Sequence, residues 1–308
     1  MKLSIIKRKV NTMLHTPRIF MKKFQSSPIF KYLPDEVALK IIYKNAFNKK
    51  LDLQNPKTMN EKLQWLKLYN RKPEFSLMVD KCEAKKYVAS IIGEEYIIPT
   101  YGVWEHFDDI DFESLPEQFV LKCTHGSGDV VICKDKSQFN ASTAKVKLEK
   151  SLKTDYYKIS REWPYKNVKP RIIAEKYLED NSGGLTDYKV YCFNGKAKMM
   201  LIASDRFTEK QAKFDFFDKD FNWLDFTWGN PRSEEKPEKP FLFDELFSLA
   251  EVLSKDLPHI RVDFYVVNSQ IYSGELTFFD GGGFDSIEPY EWNIRIGSWL
   301  KLPDTKNY

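Results

Sequence analysis

Two acids stand in the middle of what otherwise reads as a hairpin of aromatic and β-branched residues, RVDFYVVNSQIYSGELTFFDGGG, residues 261–283. Side chains alternate faces along a strand, so Arg261, Asp263 and Tyr265 point one way while Val262, Phe264 and Val266 point the other. With Asn268-Ser269-Gln270 as a short loop and Val267 paired with Ile271, the register sets Asp263 opposite Glu275 and Arg261 opposite Thr277. The apolar face is then Val262, Phe264 and Val266 against Tyr272, Gly274 and Leu276. Like charges directly across a ladder destabilise it unless something positive lies between them, and a hard divalent cation such as Mg2+ meets that need. A surface hairpin carrying unrelated acids is the competing reading.

Other positions carry weaker signals. Lys122 ends a strand just before His125-Gly126-Ser127-Gly128. Backbone N–H groups of such a loop can meet phosphate oxygens with the ammonium as point charge, although a plain hairpin turn has the same composition. In IIAEKYL, residues 172–178, an apolar strand carries Glu175 and Lys176, which suits a backbone edge that reads adenine or simply an ordinary strand. Asp187 and Lys189 share one face of a later strand, where Lys189 either reaches a terminal phosphate or is solvated. Asp218-Lys219-Asp220 offers a D-x-D pair for a metal-bound nucleotide diphosphate, yet DFFDKDFNW reads equally as a turn between strands.

The elements that must position these groups follow from periodicity. Residues 34–70 predict two helices, PDEVALKIIYKNAF and NEKLQWLKLY, broken at NPKT, and LMVDKCEAKKYVASIIG predicts a third that Gly93 ends. FVLKCTHGSGDVVICKD reads as strand, loop, strand. Residues 141–160 return to helix, RIIAEKYLED is a strand, and DYKVYCFNGKAKMMLIAS is a hairpin turning at Asn194-Gly195. FDELFSLAEVLSKDL is the final long helix before the acidic hairpin. Helices mixed with mainly antiparallel hairpins predict an α+β fold.

Composition bounds the rest. The chain has 308 residues, 42% hydrophobic and 15% aromatic, enough for a sizeable core. Cys82, Cys123, Cys133 and Cys192 form no C-x-x-C pair, and with four histidines a zinc site is disfavoured. Reduced thiols and no secretory signal predict a cytoplasmic protein. The first thirty residues hold Lys2, Lys7, Arg8, Lys9, Arg18, Lys22 and Lys23 without an acid, and Leu3, Ile6, Val10, Met13 and Leu14 fall at helical spacing. That pattern suits either peripheral association with the inner membrane face or an ordinary N-terminal helix. No basic patch with interleaved aromatics recurs, so nucleic acid is not expected as a partner.

Together these pieces resemble a known family. Lys81 with Lys85, Lys122 with its glycine loop, the segment from Glu175 to Leu178, and Arg261-x-Asp263 followed by Glu275-x-Thr277 look like the ATP-grasp superfamily. NEKLQWLKLYNR, FVLKCTHGSG, RIIAEKYLED, DYKVYCFNGK and RVDFY with GELTFFDGGG are similar to its TupA-like branch, found among bacterial cell-surface polysaccharide genes. The resemblance implies an ATP-grasp fold of two α+β subdomains gripping ATP, preceded by N-terminal helices. It implies a basic segment at 1–30, a helical region at 31–98, a lid subdomain at 99–178 and a catalytic subdomain at 179–308. Lys81 and Lys122 would contact phosphates, with Gly126, Ser127 and Gly128 closing over them. Glu175, Lys176 and Leu178 would form the adenine hinge, and Lys189 would lie near the γ-phosphate. Asp263, Glu275 and Thr277 would hold one or two Mg2+ ions, Thr277 standing where the superfamily usually has asparagine. Arg261 would stabilise an oxyanion.

The implied activity is an ATP-dependent carboxylate–amine ligase acting through an acyl phosphate on a polysaccharide or sugar-acid acceptor and an amino compound. Rival expectations are a glycosyltransferase using Asp218 and Asp220, a sugar kinase on the same ATP site, and a non-catalytic membrane-associated scaffold. Asp187, His125 and Glu288 are candidates for a general base, and GFDSIEPYEWNIRIG, with Glu288, Glu291 and Arg295, is placed at the acceptor site by its position.

Overall fold

A computed structural model describes residue 25 and residues 28–180, 185–204 and 212–304. The basic amphipathic segment expected over residues 1–30 lies outside the described residues except at positions 25 and 28–30. Among the described residues no helix is long and apolar enough to cross a membrane.

Helix α1, Asp35–Phe47, begins after Pro34 with Asp35 and Glu36 in its first turn, and closes on Asn48 in the left-handed region at φ 54°. Helix α2, Met59–Tyr69, carries a capping box. The Thr58 hydroxyl accepts the Glu61 N–H at 3.2 Å, and the Glu61 carboxylate accepts the Thr58 N–H at 3.0 Å. The third expected helix is two, α3 (Glu74–Val79) and α4 (Glu83–Ile92). Asp80 divides them: its backbone is extended, and its carboxylate accepts the Cys82 N–H at 2.9 Å and the Arg171 guanidinium at 2.7 Å. A short polar side chain that bonds nearby backbone competes with the helix ladder, and no apolar periodicity reports that competition.

Strands β1 (Thr100–Trp104), β2 (Phe119–Cys123), β3 (Val131–Cys133) and β4 (Ile172–Lys176) form one sheet in the order β1-β4-β2-β3, antiparallel throughout. Its core gathers Phe119, Leu121, Ile172 and Ala174 against Leu148 of helix α5, Ala141–Leu152. The helix expected over 141–160 stops there, and only the short α6, Tyr157–Ser160, follows.

A second, larger sheet holds β5 (Asp187–Phe193), β6 (Lys196–Ser204), β7 (Lys213–Asp218) and, beyond the small β8 (Thr227–Trp228) and helix α7 (Phe243–Leu253), strands β9 (His259–Val267) and β10 (Gln270–Thr277). Its order is β10-β9-β5-β6-β7, and all its pairs are antiparallel. The turn at Asn194-Gly195 is present, both residues at positive φ. After the short β11 (Ile287–Glu288), which pairs with β8, the chain ends its described part in helix α8, Tyr290–Trp299. The helix α7 is therefore not the last. Helix α8 lies so close to the start of α2 that a Cβ on Gly297 would stand 2.3 Å from the Lys57 carbonyl oxygen.

In the β9–β10 hairpin Asp263 faces Glu275 and Arg261 faces Thr277, the expected register at that end. Nearer the turn the expectation fails by one residue. Asn268 and Ser269 alone make the turn, at φ 51° and 62°, so Gln270 pairs with Val267 and Ile271 with Val266. The extra residue reappears as a bulge between Ser273 and Glu275, which restores the offset. The apolar face of β10 is consequently Ile271 and Leu276, both buried, in place of Tyr272, Gly274 and Leu276.

Candidate functional site

Asp263 is the hub of a buried charge network. Its neighbour on β5 is Lys189, whose ammonium donates to Oδ2. Arg261, two residues away on the same face, donates from Nε to Oδ1 at 2.6 Å and from Nη2 to Oδ2 at 2.8 Å. The guanidinium also reaches Thr277 Oγ1 at 3.1 Å and the Asp280 carboxylate, which accepts the Tyr191 hydroxyl as well. Asp187 lies 3.4 Å from the Lys189 ammonium. Burial by itself would raise the Asp263 carboxyl, but Arg261 and Lys189 outweigh it and hold it below the ordinary carboxylate range. Burial pulls Lys189 down, with Asp263 opposing.

A second group comes from the helices and the smaller sheet. The break at Asp80 turns Lys81 out of the helical path, so that its N–H bonds the Thr124 carbonyl at 3.0 Å and its ammonium donates to the Gly126 carbonyl and stands 3.5 Å from Glu275 Oε1. Lys81 thus links the glycine loop to the acidic hairpin. The loop is pinned by Asp129, which accepts the Cys123 N–H at 3.1 Å and the Ser151 hydroxyl at 2.6 Å. Gly128 sits at φ 87°, and at Gly126 a Cβ would meet the Tyr156 ring at 3.2 Å. Glu175 is buried between Lys122 at 2.5 Å and Lys85 at 2.7 Å. Burial would raise its carboxyl, but the two lysines pull it below the ordinary value. Lys176, the next residue, is exposed, and Leu178 packs with Ile98 and Val267.

Arg261, Glu275 and Thr277 open on a cavity of about 580 Å3 that is bounded elsewhere by Ser127 of the glycine loop, by Tyr156, Ser160, Glu162 and Tyr165, and by Asp280, Gly281 and Gly282. Asp280 and Glu162, which line the cavity, and Tyr191, which lies buried behind Asp280 and donates to it, are residues that sequence reasoning missed. Asp280 sits three residues past Thr277 in the quoted GELTFFDGGG, and a search for acids near the hairpin would have found it; nothing in the sequence marks Tyr191 or Glu162. Helix α2 holds the glycine turn from behind: Asn60 and Gln64 donate to the Gly283 carbonyl, each at 3.0 Å, and the Lys67 ammonium to that of Gly282 at 2.6 Å.

Several candidates lie elsewhere. His125 is buried with Nε2 3.1 Å from the Ser151 carbonyl, and Glu288, Glu291 and Arg295 are exposed and do not line the cavity. Asp218 lies on β7, at the opposite edge of the five-stranded sheet from β10. Its carboxylate accepts the N–H groups of Asp220 at 3.0 Å and Asn222 at 2.9 Å, as a turn requires.

Among the described residues no group of three or more His, Cys, Asp or Glu side chains is arranged to hold a metal ion. Glu275 and Thr277 instead offer a carboxylate and a hydroxyl on the cavity, while Asp263 lies behind them with both its oxygens bonded to Arg261 and Lys189. That sparse donor set fits Mg2+ whose shell is completed by phosphates and water, and does not fit an all-protein cage.

Comparison with known proteins gives a family match over most of the chain. The family model described as TupA-like ATPgrasp matches residues 61–301. Among solved structures, the D-alanine–D-alanine ligase of Bacillus anthracis complexed with ATP is 16% identical over 66% of this chain and 54% of that one, at a TM-score of 0.39. The D-alanine–D-alanine ligase of Helicobacter pylori is 14% identical over 79% and 69%, at 0.43. The ATP-grasp ligase PsnB, complexed with a minimal precursor, Mg and ADP, is 14% identical over 73% and 61%, at 0.37. The chain spans about half the length of the Bacillus anthracis ligase. No curated protein matches it.

Proposed function

The chain belongs to the TupA-like ATP-grasp family, and from that premise we propose that it is an ATP-dependent carboxylate–amine ligase of bacterial cell-surface polysaccharide biosynthesis. The carboxylate is that of a sugar acid or amino acid, and the second substrate is an amine. The observation that supports this reading best is the position of Lys81, whose ammonium touches both the glycine-loop carbonyl of Gly126 and the carboxylate of Glu275. It ties the loop suited to a polyphosphate to the hairpin suited to its counterion.

In this reading Lys81 and Lys122 neutralise phosphate charge, and Gly126, Ser127 and Gly128 cover it and exclude water. Glu175, with Lys122 and Lys85 on its carboxylate, fixes the strand whose end, Lys176 to Leu178, meets the base. Glu275 and Thr277, joined by Asp263 where it exchanges a bond to Arg261 or Lys189 for the ion, are the residues that would hold Mg2+, which would supply charge neutralisation to the transferring phosphoryl group. Lys189 stands beside Asp263 for the γ-phosphate, and Arg261 faces the cavity as donor to the oxyanion of the tetrahedral intermediate. The family reading divides the chain at 1–30, 31–98, 99–178 and 179–308, with the cationic segment 1–30 as the part suited to an anionic membrane surface on the cytoplasmic side.

The test is ADP release from the purified chain with Mg-ATP, a panel of uronic and amino acids, and a panel of amines. We expect release to require both an acid and an amine and to yield an amide. A phosphoester product would make the chain a kinase. Consumption of a nucleotide sugar with ATP untouched would make it a glycosyltransferase, and no Mg-dependent ATP binding would leave a scaffold.

A further inference from the structure

Among the described residues three carboxylates line the cavity, and they differ in how their charge is met. Glu275 stands 3.5 Å from the Lys81 ammonium, and Asp280 is bonded to Arg261 and Tyr191. Glu162 is different. It is only 5% exposed, and among the described residues no cation comes within 4 Å of it, the Lys67 ammonium acting on it from farther off; its carboxylate accepts the Ser160 hydroxyl at 2.5 Å. Nothing in the ligase reading so far employs this group, although an amine that attacks an activated acid must first shed a proton.

We propose that Glu162 is the general base that takes this proton, a role resting on the ligase reading. The substrate it serves is a primary amine that enters the cavity as an ammonium ion. One N–H bond of the ammonium breaks, and its proton passes to the Glu162 carboxylate. The freed electron pair forms the C–N bond, and the C–O bond to phosphate then breaks. The nitrogen gives its second proton to the departing phosphate, so that amide and hydrogen phosphate form and one proton leaves Glu162 for solvent.

The surroundings suit the role. Tyr156 and Tyr165 of the same segment line the cavity with Glu162, their rings 4.7 Å apart and edge to face. Burial raises the Glu162 carboxyl, with the Lys67 ammonium and the Ser160 hydroxyl opposing and Glu275 and Asp280 adding to the rise. A carboxylate made more basic in this way accepts a proton more readily. Lys67 itself is occupied by two carbonyls, those of Ser160 at 2.7 Å and Gly282 at 2.6 Å, and holds the wall rather than the substrate.

The experiment separates acid activation from amine attack. Wild type, Glu162→Gln and Glu162→Asp are each given Mg-ATP with glucuronate, galacturonate or the common amino acids. The nucleophile is either ethanolamine or an amino acid, both ammonium ions at neutral pH, or hydroxylamine, which is already uncharged. We expect Glu162→Gln to form hydroxamate at the wild-type rate while amide formation falls about 10²-fold or more, and Glu162→Asp to show the same split less steeply. Equal loss of both products would make Glu162 structural and overturn the proposal, as would retention of both. A wild-type protein that makes neither hydroxamate nor amide from any of these acids would instead remove the ligase reading, and the base with it.

Discussion

Asp263 shows how one residue can belong to both fold and site. Its carboxylate neutralises Lys189 and Arg261 in a buried setting, so removing its charge leaves Lys189 with Asp187 and Arg261 with Asp280, one carboxylate fewer for each buried cation. Asp263→Asn should therefore lower stability by about 3–5 kcal/mol as well as abolish turnover. Glu275 is partly exposed and among the described residues its one ion pair is with Lys81, so Glu275→Gln should cost about 1 kcal/mol or less while losing turnover equally. Urea unfolding of the two variants separates them, and equal stability would contradict the hub. A second residue sets acid sensitivity. His259 is fully buried with Nδ1 2.9 Å from the Cys192 carbonyl, and burial pushes its imidazole from 6.5 down to about 4. The folded value lies below the unfolded one, so as pH falls the unfolded chain takes the proton first. The stability this gives is whole above pH 6.5 and is lost as pH falls through 4, amounting to about 3 kcal/mol. His259→Gln should lose less of its urea midpoint than wild type between pH 7 and pH 4.5.

At the scale of elements the acidic hairpin was legible where strand alternation alone decides the outcome. Asp263 opposite Glu275 follows from counting, and it survives because the turn and the bulge move the extra residue without changing the total offset. The turn was not legible, because Asn268 and Ser269 both adopt positive φ, which the sequence signals only weakly when serine takes the place of glycine. Ser269→Gly relieves that backbone and should raise stability by about 1 kcal/mol, measured as an upward shift in the urea midpoint; an unchanged or lower midpoint would contradict the turn. The division of α3 from α4 was hidden for another reason. It depends on Asp80 meeting Arg171, 91 positions away, and local periodicity carries no record of a distant partner. Helix α8 escaped notice because its buried side holds only Asn293, Ile296 and Gly297, of which Asn293 bonds Asn60 of α2, too few apolar residues for a helical period.

Across the whole molecule, two antiparallel sheets with separate cores bring together residues from Lys81 to Asp280. The order of motifs along the chain carried the family reading, and the types and spacing of Lys122, Glu175, Lys189, Arg261, Asp263 and Glu275 were all visible in the sequence. What only folding reveals is partnership: Glu175 lies between two lysines, Asp218 closes a turn far from the cavity, and Glu162 reaches it from a segment with no motif. The central claim is that ATP activates a carboxylate as an acyl phosphate, and oxygen labelling tests it most directly. Glucuronate, galacturonate or amino acids carrying 18O in the carboxyl group are turned over with Mg-ATP and an amine, and the released phosphate is weighed by mass spectrometry. The account predicts that one labelled oxygen passes from acid to phosphate in each turnover. Phosphate that is released unlabelled while amide accumulates would contradict it.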